Sequence, residues 1–126
     1  MNIRALIFDV FGTLVDWRSG VARELQNHLR VSAQEADALA DAWRDEYQPA
    51  MEAVRAGHIA FCKLDLLHRR NLDIVLDRFG HEADEATRRE LTLAWHRLDA
   101  WPDVTPALQR LRTKYLPRPA PTATSR

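Results

Sequence analysis

The feature that most limits how this chain can fold is a short apolar run, Ala5–Phe8, that ends abruptly at Asp9. The run is too brief for a helix and matches a strand buried on both faces, as in a parallel sheet. Gly12 follows soon after and can adopt the positive φ of a sharp turn. In open α/β sheets ligands bind beyond the carboxyl ends of the strands, so the sequence predicts that Asp9 lies at a ligand-binding edge.

A carboxylate at that edge can act as a nucleophile, a metal ligand or a general base. The turn from Phe11 to Thr13 could present backbone N–H groups to it. A turn-capping aspartate followed by ordinary turn residues would also account for Asp9, Gly12 and Thr13. The pattern by itself leaves both interpretations open.

The composition indicates which kind of molecule the chain can bind. The chain has 126 residues, with 18 basic and 18 acidic side chains and neither sign in a long block, which argues against a nucleic-acid or polyanion binder. Its one cysteine, Cys62, cannot form an internal disulfide, and the first apolar run is shorter than a signal-peptide core or a membrane span. We therefore expect a cytoplasmic protein that binds a small molecule and neither nucleic acid nor membrane.

Beyond Trp17 the apolar residues recur at helical spacing until the tail. Ser32 and Glu35 fit a capping box at the start of one helix. Pro49 predicts a break near Tyr47 to Ala50, because it removes a backbone donor. The other predicted boundaries are an end at Arg55–Gly57, a stop at Gly80, a start at Asp84 or Thr87, and a last helix from Thr105–Pro106 to about Lys114.

Two side chains in this helical region carry reactive groups. Cys62 lies in an apolar context without a local signature, so it is predicted to pack. His68 lies on the apolar stripe of its helix without a second metal ligand nearby, so it is predicted to be a packed or partly exposed histidine. We expect no metal site and no cofactor.

The string Phe8-Asp-Val-Phe-Gly-Thr-Leu-Val-Asp16-Trp-Arg-Ser resembles the first motif of the haloacid dehalogenase superfamily, most closely its type II (S)-2-haloacid dehalogenases. The resemblance implies that Asp9 is the nucleophile and that Thr13 bonds near it. Superfamily phosphatases carry a second aspartate two residues after the nucleophile, where this chain has Phe11. Halide departs without a proton, so Phe11 favours carbon–halogen over phosphate-ester chemistry. A remnant of a phosphatase is one alternative.

The resemblance also implies an α/β fold: a haloacid-dehalogenase-like doubly wound core, present here only as its first strand and one later helix, with a helical cap. The chain itself would then be mostly α. The expected domains are 1–15 for the first strand and nucleophile turn, 16–98 for the helical cap, 99–116 for the return to the core, and 117–126 for a tail. A single strand would lack a partner for its ladder groups, so the core is expected to be incomplete.

The tail has several prolines and no apolar periodicity, which predicts disorder over 117–126. In the family this place holds the second core strand, leading into a Ser-Asn-Gly motif that binds the substrate carboxylate. Ala120 to Ser125 can be encoded by bases that read Ser-Asn-Gly-Asn-Val in another frame. We therefore expect that a frameshift after Tyr115 or Leu116 truncated the chain. A natural proline-rich terminus is the alternative.

As the resemblance implies it, Asp9 attacks C2 of a short 2-haloalkanoate, and water then hydrolyses the aspartyl ester. Arg44 matches the cap arginine that meets the departing halide, and a lysine beyond residue 126 would hold the nucleophile. Without the resemblance, Arg44 would be a solvated helix residue and the aromatic residues ordinary core. The candidate walls of an apolar substrate pocket are Phe11, Trp43, Tyr47 and Phe61.

Two functions of different class follow. The first is a fragment of a 2-haloacid dehalogenase, inactive or nearly so alone, whose full-length relatives could form homodimers. The second is a helical interaction module whose first strand adds to the sheet of a partner.

Overall fold

The computed structural model describes residues 2–120, as a bundle of helices beside a two-stranded sheet. The strands are β1 (Ala5–Phe8) and β2 (Leu116–Pro119). The helices are α1 (Trp17–Leu29), α2 (Ala33–Asp45), α3 (Tyr47–Arg55), α4 (Leu64–Phe79), α5 (Glu85–Leu93), which continues into a 3₁₀ turn at Ala94–His96, and α6 (Val104–Leu111). The mostly helical α/β architecture predicted from the sequence is confirmed.

Several helix boundaries lie where the sequence predicts them. Ser32 accepts a 3.1 Å hydrogen bond from the backbone N–H of Glu35, and Asp84 accepts one of 2.8 Å from Thr87. These side chains satisfy donors that the first turns of α2 and α5 leave free. At the other end of α4, Gly80 stops the helix with a φ of +73°. The break between α2 and α3 lies at Glu46, one residue before the predicted range of Tyr47 to Ala50, and Pro49 lies in the first turn of α3.

Two details of the predicted boundaries are wrong. The Glu35 carboxylate is hydrogen-bonded to Nε2 of His81 at 2.9 Å, so it does not complete the capping box. Helix α6 begins at Val104 rather than after Thr105, because the Trp101 carbonyl already accepts from the Val104 N–H at 3.0 Å. Pro106 is tolerated there, since the N–H groups of a first helical turn have no intrahelical partner.

The main core lies between α1, α2, α4, α5 and the 3₁₀ turn, as expected for amphipathic helices that bury one face each. Its fully or nearly fully buried members include Val21, Leu25, Leu39, Trp43, Leu72, Leu76, Leu91 and Trp95. A smaller cluster joins α3 to α4 through Ala50, Met51 and Leu67, with Cys62 packed against it. The predicted packing role of Cys62 is confirmed.

The sheet corrects two predictions about the tail and the first strand. β2 pairs with β1 in parallel, from Ala5 opposite Leu116 to Phe8 opposite Pro119. Residues 117–119 are therefore not disordered, and β1 is not without a partner. The remainder of the predicted disordered tail, from residue 121, lies outside the described residues.

The prolines of β2 are compatible with a strand because of the side on which they lie. The N–H groups of Leu116 and Ala120 donate to the carbonyls of Arg4 and Phe8 at 2.9 and 2.7 Å. Backbone groups of alternate residues point to opposite sides of a strand, so Pro117 and Pro119 have their nitrogens on the outer edge. Proline costs no ladder hydrogen bond in that position.

Strand β1 is more exposed than predicted. The sequence predicts burial on both faces, whereas the Ile7 side chain is 69% exposed. Helix α6 packs against β2, and its Leu108 lines a groove with Phe8 and Pro117 on one face of the sheet. Within residues 2–120 no element covers the face that carries Ile7. The same described part of the chain contains no helix long and apolar enough to span a membrane.

Candidate active site

Asp9 lies directly after β1, at the carboxyl end of the strand, with its side chain exposed. The chain then turns back on itself: the Val10 carbonyl accepts from the N–H groups of Thr13 and Leu14 at 3.2 and 2.8 Å. Gly12 adopts a φ of +88° in this turn, a conformation that residues with a Cβ rarely reach. The turn brings the Thr13 hydroxyl to Oδ2 of Asp9, to which it donates a 2.8 Å hydrogen bond.

The backbone donors of this turn are used differently from the prediction. The N–H of Gly12 donates to the Val15 carbonyl at 3.0 Å, and that of Thr13 donates to Val10. Neither is therefore available to the Asp9 carboxylate. In residues 2–120 it is the Thr13 side chain that holds the carboxylate.

A contact that the sequence analysis missed fixes the turn after Asp9 to the returning chain. The indole Nε1 of Trp101 donates to the Gly12 carbonyl at 3.1 Å, and its backbone N–H donates to Leu14 at the same distance. The backbone N–H of Asp16 donates to Asp99 at 2.9 Å. The sequence showed Trp101 only as part of a helix break, and local spacing carries no signal for a contact across more than eighty residues.

Arg44 extends from α2 into a group of aromatic rings. Its guanidinium carbon lies 4.6 Å from the ring centre of Tyr47, 5.4 Å from that of Phe11 and 5.9 Å from that of Trp17. Its Nη1 atom is buried and has no hydrogen-bond partner among residues 2–120. By contrast, Arg18 forms an exposed two-point ion pair with Asp41. Arg44 is therefore half-buried, with its guanidinium beside three aromatic rings.

The four residues predicted to form the pocket walls lie in three different environments. Phe11 and Tyr47 contact Arg44 directly. Trp43 belongs to the core: it is almost fully buried and its Nε1 donates to the His68 carbonyl at 2.9 Å. Phe61 lies between α3 and α4 and is 54% exposed, so its place in a pocket wall stays a prediction.

His68 and Trp95 join this group, and the sequence analysis did not include them in the site. The imidazole of His68 stacks on the indole of Trp95 with ring centres 4.6 Å apart, and Phe11 meets both rings edge-on at 6.5 and 5.6 Å. Trp95 also stacks on Trp17 at 6.1 Å. The sequence predicts that His68 is either packed or partly exposed, and the structure shows that it is buried. Apolar periodicity alone could not show which rings it contacts.

Burial lowers the pKa of His68 to about 4, since the charged form loses its hydration. The negative charge of Asp65 opposes this shift, and the positive charge of Arg44 adds to it. The imidazole is therefore neutral near pH 7. Across the described residues, no group of three or more His, Cys, Asp or Glu side chains is arranged to hold a metal ion.

A sequence model of the haloacid dehalogenase-like hydrolase family matches residues 3–119. The chain belongs to this family of hydrolases, as the nucleophile motif predicts. No match is found among curated protein sequences.

Solved structures give a closer likeness. The chain is 42% identical to the defluorinating L-2-haloacid dehalogenase Rha0230, with a TM-score of 0.87 over 94% of this chain and 50% of that one. For the L-2-haloacid dehalogenase PA0810 the identity is 40% and the TM-score 0.84, over 94% and 51% of the two chains. For the L-2-haloacid dehalogenase of Xanthobacter autotrophicus the identity is 26% and the TM-score 0.75, over 94% of this chain and 48% of that one. The chain thus spans about half the length of these enzymes.

Proposed function

We propose that this chain carries the nucleophile and the halide-receiving arginine of a hydrolytic 2-haloacid dehalogenase, which converts a 2-haloalkanoate and water to a 2-hydroxyalkanoate and halide. The observation that carries the proposal is the Asp9 carboxylate held by Thr13 at the end of β1, together with Arg44 unpaired among aromatic rings. The likeness to three L-2-haloacid dehalogenases supports it.

In the first step the Asp9 carboxylate attacks C2 of the substrate, opposite the halogen. The new C–O bond forms as the carbon–halogen bond breaks, and the halide leaves with the bonding electron pair, so the configuration at C2 inverts. Thr13 donates to Oδ2 of Asp9, and we therefore assign the attack to Oδ1. The product of this step is an ester between Asp9 and the substrate.

In the second step water attacks the carbonyl carbon of that ester. The bond between this carbon and the ester oxygen breaks, and the departing alkoxide takes up a proton to give the 2-hydroxy acid. The water oxygen remains on Asp9, whose carboxylate is restored. Neither step consumes an oxidant, a reductant or a cofactor.

Arg44 is assigned to the charge that develops on the halide. A guanidinium is always ionised and spreads its N–H donors over a plane. The rings of Phe11, Trp17 and Tyr47 lie around it and reduce its contact with water, which strengthens its interaction with an anion. Phe11 also occupies the position of the second aspartate of superfamily phosphatases, which argues against phosphate-ester hydrolysis as the alternative.

The chain alone is proposed to have no measurable activity. It spans half the length of Rha0230, and the family resemblance assigns the substrate-carboxylate turn and the lysine beside the nucleophile to elements outside residues 1–126. Small misplacements of a reacting group already cost about a hundredfold in rate. Missing elements cost more.

The test compares the chain alone with the chain fused to the second half of Rha0230, using racemic 2-chloropropionate and following chloride release. The fusion is expected to release chloride, whereas its Asp9→Asn variant and the chain alone are not. In water enriched in ¹⁸O, mass spectrometry of the peptide that contains Asp9 should show the label after turnover. Activity that survives Asp9→Asn, or a label that never enters Asp9, would contradict the mechanism. Chloride release by the well-folded chain alone would contradict its inactivity.

A second candidate is a non-catalytic interaction module. The exposed apolar side chains of Ile3, Ile7 and Leu116, on or beside the two-stranded sheet, favour it. Stoichiometric complex formation by this chain, together with a fusion that folds but does not turn over, would support this function instead.

A further inference from the structure

Five buried nitrogen atoms of the described residues have no hydrogen-bond partner. They belong to Arg44 (Nη1), His68 (Nδ1 and Nε2), Asn71 (Nδ2) and Trp95 (Nε1), and none has a partner among residues 2–120. His68, Asn71 and Trp95 are only 3%, 1% and 7% exposed. Buried polar groups in native proteins are nearly always hydrogen-bonded, so a group of unsatisfied atoms indicates a site where a ligand completes the bonding.

These side chains are neighbours. His68 and Asn71 are three residues apart on α4, which places them on one face of the helix. Trp95 stacks on His68, and the Phe11 ring contacts both of them. The Arg44 guanidinium lies over the same Phe11 ring. Phe11 is therefore the common neighbour of the arginine and of the stacked pair.

Most of the unsatisfied atoms are hydrogen-bond donors, which favours an anion as the ligand. The free nitrogens of Arg44, Asn71 and Trp95 can only donate, and a neutral imidazole supplies one further N–H. Asp65, the acid whose charge acts on His68, is hydrogen-bonded to Nε2 of His96 at 2.7 Å. The second nitrogen of the neutral His68 ring accepts, and the other four atoms donate. A ligand that accepts several hydrogen bonds among aromatic rings satisfies these four donors, which suits a small anion that gives up its water readily.

We propose that His68 is a specificity-determining residue whose N–H, together with that of Trp95, binds the leaving halide beside Arg44. This inference rests on the proposed dehalogenation and deepens it, because it assigns donors for the halide from α4 and the 3₁₀ turn. A carboxylate could use the same donors, so the experiment includes one. A neutral donor adds a hydrogen bond without adding charge, and hydrogen bonds to halides weaken as the ion becomes larger and its charge more dilute.

The experiment uses the 126-residue chain itself, because all the side chains involved lie within its described part. Sodium chloride, bromide, iodide and acetate are titrated against sodium sulfate at constant ionic strength, with tryptophan fluorescence as the signal, since Trp95 is in the stacked pair. Chloride and bromide are expected to give saturable changes. In His68→Phe the chloride affinity should fall about tenfold, the order expected for the loss of one hydrogen bond to a charged group, and the iodide affinity should fall less.

His28→Phe is the matched control. His28 lies near the far end of α1 and contacts Glu24 at 3.5 Å, so its substitution should leave halide binding unchanged. His68→Gln keeps an N–H donor and should retain more chloride affinity than His68→Phe. His68→Gln also tests the role of His68 if His68→Phe does not fold.

The melting temperature without halide separates binding from packing. If His68 only packs against Trp95, phenylalanine should preserve the stack and leave chloride affinity unchanged, which would overturn the proposal. If His68 binds halide, His68→Phe should melt at the same or a higher temperature than the unmodified chain without halide, because the unsatisfied nitrogens are gone. It should also lose most of the chloride-induced increase in melting temperature.

Saturable binding of acetate but not of halides would also overturn the proposal, as would no saturable halide signal in the unmodified chain. These outcomes are independent of turnover. A fusion enzyme that fails to release chloride contradicts the proposed function, whereas an unaltered halide affinity in His68→Phe contradicts the inference alone.

Discussion

The Thr13 hydroxyl donates a 2.8 Å hydrogen bond to Oδ2 of Asp9, four residues before it. Gly12 turns the chain sharply after β1, and the N–H groups of Gly12 and Thr13 donate within the turn rather than to the carboxylate. A side chain rather than the backbone therefore holds the carboxylate in the described residues. The orientation of Asp9 depends on one hydroxyl.

We predict that Thr13→Val lowers kcat of the fused enzyme by roughly tenfold or more, since a misaligned nucleophile costs at least that much. Thr13→Ser keeps the hydroxyl and should retain most of the activity. Chloride release under saturating 2-chloropropionate measures the effect. Thr113→Val is the control, because the Thr113 hydroxyl donates to the Arg110 carbonyl after α6, and it should leave kcat unchanged. Equal kcat values for Thr13→Val and the parent would remove Thr13 from the site.

For Arg44→Lys we expect kcat to fall more than KM changes. Lysine keeps the charge but loses the planar group that lies over Tyr47 and Phe11 and spreads its donors towards the halide. Steady-state kinetics of chloride release by the fused enzyme measures both constants. Arg18→Lys, which alters an exposed ion pair with Asp41, is the matched control. An unchanged kcat in Arg44→Lys would contradict the assigned role.

Sequence patterns were most reliable where a local rule decides the structure. The caps at Ser32 and Asp84 and the stop at Gly80 depend on a few neighbouring residues, and each was correct. The prediction of disorder in the tail was wrong for residues 117–119, because proline composition does not show on which side of a strand each nitrogen lies. Pro117 is compatible with β2 for that reason.

Only the part of the site that lies within a short sequence motif was predictable from the sequence. The positions of Asp9 and Thr13 follow from one short string, and their hydrogen bond agrees with the predicted proximity. The stack of His68 on Trp95 joins α4 to the 3₁₀ turn that follows α5. No local pattern marks such a contact, because it depends on how the helices pack.

Catalysis by the fused enzyme should depend on Asp9 and not on magnesium. Phe11 occupies the place of the phosphatase aspartate, and its ring lies 5.4 Å from the guanidinium carbon of Arg44. Chloride release should be the same with and without EDTA, whereas Asp9→Ala should abolish it. We also expect Phe11→Asp to lose activity, because a carboxylate there would neutralise Arg44; Phe11→Leu should lose less. Inhibition by EDTA that magnesium reverses would contradict this prediction.

Stability should fall on acidification partly because of His68. Burial lowers its pKa to about 4 from the model-peptide value of 6.5, so between these values the unfolded chain binds more protons than the folded chain. The contribution is full above pH 6.5, is lost as pH falls to about 4, and amounts to at most about 3 kcal/mol. Urea unfolding at pH 7 and pH 4.5 should show a smaller loss for His68→Phe than for the unmodified chain. Equal losses would contradict the prediction.

The exposed strand should cause the isolated chain to associate. The outer edge of β2 has proline nitrogens at positions 117 and 119, so it is a poor partner for another strand. The other edge of β1 has no partner within residues 2–120, and Ile7 beside it is 69% exposed. Such an edge is a template for pairing with a second chain.

We predict association that increases with concentration and decreases in Ile7→Lys, measured by size-exclusion chromatography with light scattering. Leu66→Lys, at an apolar residue of α4 that is similarly exposed, should leave association unchanged; an equal decrease in both variants would show that the sheet edge is not the cause.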